Sequence, residues 1–197
     1  RNMPLEGDSN FEGLKKAYAN GIELRGKTLG IIGFGRIGQS LASYALGVGM
    51  KVIAIDNKSQ EVQVKVTVGT QDVHVPIKTE TDLHGLLGEM DYISIHVPKQ
   101  SDGSAVLGAA EFARMKKGVF IANAARGGVV NETDLIEALN SGTIAGVALD
   151  VFENEPNPAK ELLSHPKIAC TPHIGAATLE AQDRIGEELA QLIIGLA

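Results

Sequence analysis

The chain has 197 residues, 44% of them hydrophobic and 21% charged, with a formal net charge of -6 at pH 7. That length suits a single domain with a well-filled core, and an acidic balance without a basic stripe argues against a nucleic-acid surface or an anionic membrane as partner. No apolar run approaches the ~20 residues needed to span a bilayer and no signal peptide opens the chain, so a cytoplasmic protein handling small molecules is expected.

In chain order, RNMPLEGDSNFEGLKKAYA reads as an isolated helix-like arm that cannot cover its own apolar residues. Short apolar runs then alternate with helix-period segments: TLGIIG, KVIAID, VHVPIK, YISIHV, VFIANA, IAGVALD and KIAC are each bounded by turn or helix-start residues. Continuously apolar strands of this kind are buried on both sides, which predicts an α/β domain with a doubly wound, Rossmann-type, mainly parallel sheet and helices on both faces. Helix signals agree: Gly108 precedes AAEFARMKK and Gly118 ends it, while Asn131 caps ETDLIEALN with Asp134 at the third helical position and Gly142 after it. The last helix is expected from about Ala176 through EAQDRIGEELAQLIIGL. One segment breaks the rhythm, because valines at 62, 64, 66 and 68, followed by Val73, Val75 and Ile77, alternate with period two around Gly-Thr-Gln-Asp. A β-hairpin near residues 61–78 is expected where this architecture normally places a helix. The one cysteine, Cys170, reads as a small core residue at a strand end. The chain starts at Arg1 and stops within the apolar run Leu192–Ala197, so it reads as a piece of a longer protein, with 1–197 one cofactor-binding domain.

The loop GFGRIG sits between the first strand and a helix. There Gly33 permits the tight bend, Gly35 admits a pyrophosphate against the backbone, and Gly38 allows close helix packing. The N–H groups of Arg36 and Ile37, at a helix N-terminus, favour an anion. About 20 residues on, Asp56 ends the second strand, where a carboxylate accepts from an adenosine ribose diol and repels a 2′-phosphate. NAD rather than NADP is the expected cofactor, against the mild counterweight of Lys58.

Three further polar clusters fall at strand ends: ANAARGGVVNE, ALDVFENEP and CTPHIGAAT. With GFGRIG and HVP they resemble, in order, the D-2-hydroxyacid dehydrogenase family over the whole of 1–197, as its nucleotide-binding domain, and most closely the members that act on 3-phosphoglycerate. The resemblance implies hydride transfer between NAD and a D-2-hydroxy acid, with 3-phospho-D-glycerate, the entry to serine biosynthesis, ahead of lactate, glycerate and erythronate 4-phosphate. It implies Arg126, Glu155 and His173 as catalytic residues. The chemistry suits them, since a guanidinium grips a carboxylate in a fixed fork, an imidazole cycles a proton near neutral pH, and a carboxylate beside it fixes the ring's tautomer. By the same resemblance Asp150 holds the nicotinamide carboxamide, His96, Val97 and Pro98 flank the adenine, Ala124 and Ala125 line the nicotinamide side, and Gly175 and Ala176 follow His173 along the cofactor. No metal is implied. Formate dehydrogenases, which resemble this pattern, carry glutamine where Glu155 stands. Two features depart from the family: the hairpin replaces a helix beside the adenine pocket, and both flanks that build a substrate domain are absent, so this segment alone should bind cofactor and turn over poorly. A homodimer through this domain is expected. The rival from another class is a corepressor-type binding module, which shares the fold and triad and uses NAD to stabilise an assembly. His74, His84 and His165 lack such a setting and read as structural or exposed.

Overall fold

The computed structural model describes residues 3–195; Arg1 and Asn2 of the leading arm, and Leu196 and Ala197 at the end of the last helix pattern, lie outside them. The arm forms two short helices, α1 (Met3–Glu6) and α2 (Phe11–Ala17), of which only Leu14 is buried. The domain proper then runs β1 (Thr28–Ile32), α3 (Arg36–Gly47), β2 (Lys51–Ile55), β3 (Glu61–Val68), β4 (Gln71–Glu80), α4 (Leu83–Leu86), and β5 (Tyr92–Ile95). It continues through α5 (Ala109–Phe112), β6 (Val119–Asn123), α6 (Glu132–Ser141), β7 (Ile144–Leu149), α7 (Lys160–Ser164), β8 (Ile168–Cys170) and α8 (Leu179–Ile194).

The eight strands form one sheet in the order β3-β4-β2-β1-β5-β6-β7-β8, parallel throughout except for the β3–β4 pair. The expected hairpin is present, with Val64 opposite Val75 and a turn at Gly69 and Thr70. Its second strand does double duty: the far end of β4 pairs parallel with β2, Ala54 against Thr79 and Ile55 against Glu80. β3 thus takes the place of a crossover helix, and its Val62, Val64 and Val66 pack with Leu41, Ala42 and Ala45 of α3. The buried hydroxyl of Thr79 ties down the β2–β3 link, donating to the Lys58 carbonyl at 2.6 Å and accepting from the Gln60 N–H at 2.9 Å.

Side-chain alternation divides the core between the two faces of the sheet. Ile32, Ile55, Ile93 and Ile95 join Leu87, Phe112, Leu135, Leu139 and Leu162 on one face. Leu29, Ile31 and Ala54 meet α3 and the hairpin on the other. Over β5–β8 no helix among the described residues covers that second face, which is an apolar groove of about 990 Å³, floored by Tyr92, Phe120, Ala122, Ala145, Ala148 and Ala169.

Two helix boundaries differ from expectation. The segment AAEFARMKK is helical only over α5, because Phe112 and Met115 both drop into the core and Lys116 turns to meet Asp91 at 2.6 Å, bringing the chain straight to β6. The last helix starts at Leu179 rather than Ala176, with the Thr178 hydroxyl accepting from the Ala181 N–H at 3.1 Å as its cap. α6 follows its sequence signals: Asn131 accepts from the Asp134 N–H at 2.9 Å, and Gly142 closes it at φ 76°.

Candidate active site

The parallel strands all point their C-terminal ends to one edge, the edge at which an open α/β sheet binds ligands. At β1 the chain leaves through Gly33, whose φ of 94° puts it in the left-handed region and whose missing side chain lets the loop lie against the His96 carbonyl. Gly35 starts α3 in extended geometry, with no side chain capping the helix and open space where a Cβ would stand. The first N–H groups of α3, those of Arg36 and Ile37 among them, are therefore left for an anion. Both of these side chains point outward: Ile37 is exposed, and the Arg36 guanidinium meets Glu188 of α8 at 3.1 Å across a solvent-exposed gap, a pair of small energetic weight. Gly38 packs on the Gly33 carbonyl, leaving no room for a larger residue. A glycine-lined bend at an uncapped helix start fits a pyrophosphate.

Asp56 stands at the end of β2, as expected, and is also part of the loop's own architecture. Its Oδ2 accepts from the Phe34 N–H and its Oδ1 from the Asn57 N–H, each at 2.7 Å. His96 is half-buried, its Nε2 2.9 Å from the Ser94 hydroxyl, and burial pushes the imidazole pKa down, favouring the neutral ring. Val97 packs against the core, while Pro98 is exposed beside it.

The loop after β6 is shaped by Asn123, which is buried and uses both ends of its amide. Its Oδ1 accepts from the Ala125 N–H at 3.0 Å and its Nδ2 donates to the Arg126 carbonyl at 3.1 Å. Ala124 and Arg126 face outward from that turn, and one Arg126 nitrogen donates to the Ala125 carbonyl at 2.6 Å. The signal for this role of Asn123 is already in the sequence, since an asparagine ending a strand before a tight loop is a recognisable turn former.

Asp150, at the end of β7, is buried and occupied by its own chain. Oδ1 accepts from the Thr171 hydroxyl at 2.5 Å and the Ile174 N–H at 2.8 Å, and Oδ2 accepts from the Gly175 N–H at 2.7 Å. Burial would raise its pKa, but these three donors outweigh it and hold the carboxyl below the usual carboxylate range. The clamp also explains why 174–175 cannot join α8. It fixes His173 at φ 56°, a left-handed conformation that a non-glycine residue keeps only when its surroundings enforce it. Gly175 and Ala124 close on each other across the clamp. Ala176 lies beyond it, exposed, before the cap of α8.

Held this way, His173 Nδ1 sits 2.8 Å from Glu155 Oε2, while Glu155 Oε1 accepts from the Phe152 N–H at 2.9 Å. Bonding to the His173 ring and then to the Phe152 N–H lowers the Glu155 pKa, so this acid is ionised at neutral pH. Both side chains are partly open to solvent, and beside them lies a cavity of about 460 Å³ walled by Phe152, Pro156, Pro158, Leu163, Cys170 and Pro172. The other histidines sit apart from this edge: His84 pairs with Glu111 at 2.9 Å, His165 Nδ1 accepts from the Lys167 N–H at 3.2 Å, and His74 lies in the hairpin. Among the described residues no group of histidine, cysteine or acidic side chains could hold a metal ion.

Comparison with known proteins matches residues 6–175 to the family model "D-isomer specific 2-hydroxyacid dehydrogenase, NAD binding domain". The chain is 43% identical over 182 residues to hydroxypyruvate reductase of Thermotoga maritima, covering 91% of this chain and 56% of that one. It is 39% identical over 183 residues to D-3-phosphoglycerate dehydrogenase of Archaeoglobus fulgidus, covering 90% of this chain and 32% of that one. In three dimensions it resembles NAD-dependent formate dehydrogenase from Staphylococcus aureus in complex with NAD, with a TM-score of 0.77 at 30% identity, over 98% of this chain and 54% of that one.

Proposed function

The chain belongs to the D-isomer specific 2-hydroxyacid dehydrogenase family, whose NAD-binding domain it carries, and from that premise we propose that it is the cofactor half of a cytoplasmic enzyme oxidising a D-2-hydroxy acid. The observation that carries the reading is the His173–Glu155 pair at 2.8 Å, bonded through Nδ1. That bond leaves Nε2 without a partner among the described residues, at the edge where the cofactor loop opens.

In the proposed reaction, Arg126 grips the substrate carboxylate with the guanidinium nitrogens it does not spend on the Ala125 carbonyl. His173 Nε2 takes the hydroxyl proton, and the ionised Glu155 favours the imidazolium that results. When bound, NAD supplies the acceptor for the hydride leaving C2, and the C–O bond becomes C=O. Asp150 serves this scheme through the His173 loop, and its remaining acceptor capacity on Oδ2 is what a carboxamide N–H would meet. The free N–H groups of α3 would receive the pyrophosphate, Asp56 the adenosine ribose, and His96 to Pro98 the adenine side.

For substrate we favour 3-phospho-D-glycerate, giving 3-phosphohydroxypyruvate for serine biosynthesis, supported by the likeness to the Archaeoglobus fulgidus protein. The slightly higher identity to a hydroxypyruvate reductase favours the unphosphorylated 2-hydroxy acid as a second reading. A homodimer is supported by α8, which has no buried residue and lines up Ile185, Leu189, Leu192 and Ile193 on one uncovered stripe. The test of the reaction is His173→Ala in the intact enzyme, where kcat should fall by ~10²- to 10⁴-fold with NAD affinity nearly unchanged. Turnover near wild type on phosphoglycerate and on other 2-hydroxy acids would refute it.

A further inference from the structure

Two acids outside the catalytic set, Glu132 and Glu153, are joined in a reciprocal clasp. The Glu132 N–H donates to Glu153 Oε1 at 3.0 Å, and the Glu153 N–H donates to Glu132 Oε1 at 2.7 Å. Glu132 is the first residue of α6, so Glu153 satisfies one of the helix's open N–H groups, while Asn131 takes that of Asp134 two residues on. Two carboxylates brought together are costly in themselves. Burial, reinforced by the Glu153 charge, holds the Glu132 carboxyl above its ordinary range despite the hydrogen bond from the Glu153 N–H.

The clasp joins two segments of the site edge. On one side is the segment from Arg126 to α6; on the other is the turn from Phe152 to Glu155, whose Phe152 N–H holds Glu155 Oε1 while Oε2 meets His173. A second contact stitches the same two segments, because Gly127 lies flat against the Phe152 carbonyl with no space for a Cβ. The neighbours on either side of the clasp are therefore the substrate-gripping cation and the acid that orients the base. They come from separate strand-to-helix loops, those after β6 and β7.

We propose that Glu132 and Glu153 are positioning residues for the oxidation reaction: their reciprocal clasp sets the turn that presents Glu155 to His173 and fixes the distance from that pair to Arg126. This rests on the proposed dehydrogenase reading. Each carboxylate is taken up by the other's backbone N–H and neither belongs to the proposed substrate- or cofactor-binding set, so their loss should act on kcat and its pH dependence, not on NAD binding.

The test compares Glu132→Ala, Glu153→Ala and Glu132→Gln with His173→Ala in the intact enzyme, measuring kcat, KM, the pH profile of hydroxy-acid oxidation and thermal unfolding. Both alanine variants should lose ~10- to 100-fold in kcat, the scale of a misplacement near 1 Å, with KM for NAD within about twofold of wild type. Their acid limb should move the same way as that of Glu155→Gln. Glu132→Gln keeps a neutral acceptor for the Glu153 N–H and should recover most of kcat. Where an alanine variant does not fold, Glu153→Asp, one methylene shorter, is read in its place and should show the same split. If His173→Ala still turns over, the dehydrogenase reading fails. If His173→Ala is inactive while the clasp variants keep wild-type kcat and pH profile per folded molecule, the clasp is structural only and this inference is overturned.

Discussion

Replacing Asp150 with asparagine should destabilise the isolated domain by about 3–5 kcal/mol, because the carboxylate accepts three hydrogen bonds and an amide oxygen cannot. An asparagine oxygen can keep two of the donors among the Thr171 hydroxyl and the N–H groups of Ile174 and Gly175. Each bond kept loses its charge assistance, worth about 1 kcal/mol. The third donor then faces the amide NH₂ and is left unsatisfied in a site where Asp150 is only 7% exposed, adding about 1–3 kcal/mol. The sum has a pH signature. Because the folded pKa of Asp150 lies below its unfolded value, its contribution is complete above the ordinary aspartate pKa of about 3.9 and is lost as pH falls through the folded value. Urea denaturation of wild type and variant at pH 7 and at successively lower pH measures both effects, and the gap between the two proteins should narrow in acid. Thr171→Val removes one donor alone, and its effect should be non-additive with Asp150→Asn since the groups touch. A loss under ~0.5 kcal/mol at pH 7 would mean the clamp does not hold the His173 loop.

Other expectations follow from the same geometry. Gly35→Val should abolish NAD binding in calorimetric titration while leaving the fold intact, since a Cβ there meets no protein atom within 4 Å and would occupy the pyrophosphate's position; in wild type the same titration should favour NAD over NADP because of Asp56, and equal or tighter NADP binding would overturn that assignment. Glu155→Gln in the intact enzyme should move the acid limb of kcat/KM for hydroxy-acid oxidation to lower pH, because the carboxylate that His173 holds ionised no longer favours the protonated ring; an unmoved limb would separate Glu155 from the base. Sedimentation of the domain at tens of micromolar should report a dimer that Leu189→Glu, on the uncovered stripe of α8, dissociates, and a wild-type monomer at that concentration, well above the Kd of a stable interface, would refute the expected association.

What could be read from the sequence is what neighbouring residues decide among themselves. The bend at Gly33, the uncapped start of α3, the Asn131 cap and the Gly142 stop depend on backbone conformations that a few adjacent residues impose. The hairpin was legible for the same reason, since a period of two over Val62 to Ile77 suits only an extended chain with one buried side. The site residues could be named from their motifs, but their arrangement is a long-range matter. Glu155 and His173 are 18 residues apart and meet because Asp150, 24 residues before Ile174, captures the chain beyond the histidine. That capture also delays α8 to Leu179, against a helical pattern that begins earlier. The clasp of Glu132 and Glu153, the short α5 and the bare groove over β5–β8 likewise depend on which segments the sheet order makes neighbours. A hydrogen bond or a buried side chain is satisfied by whatever lies beside it in space, and only the tertiary fold decides what that is.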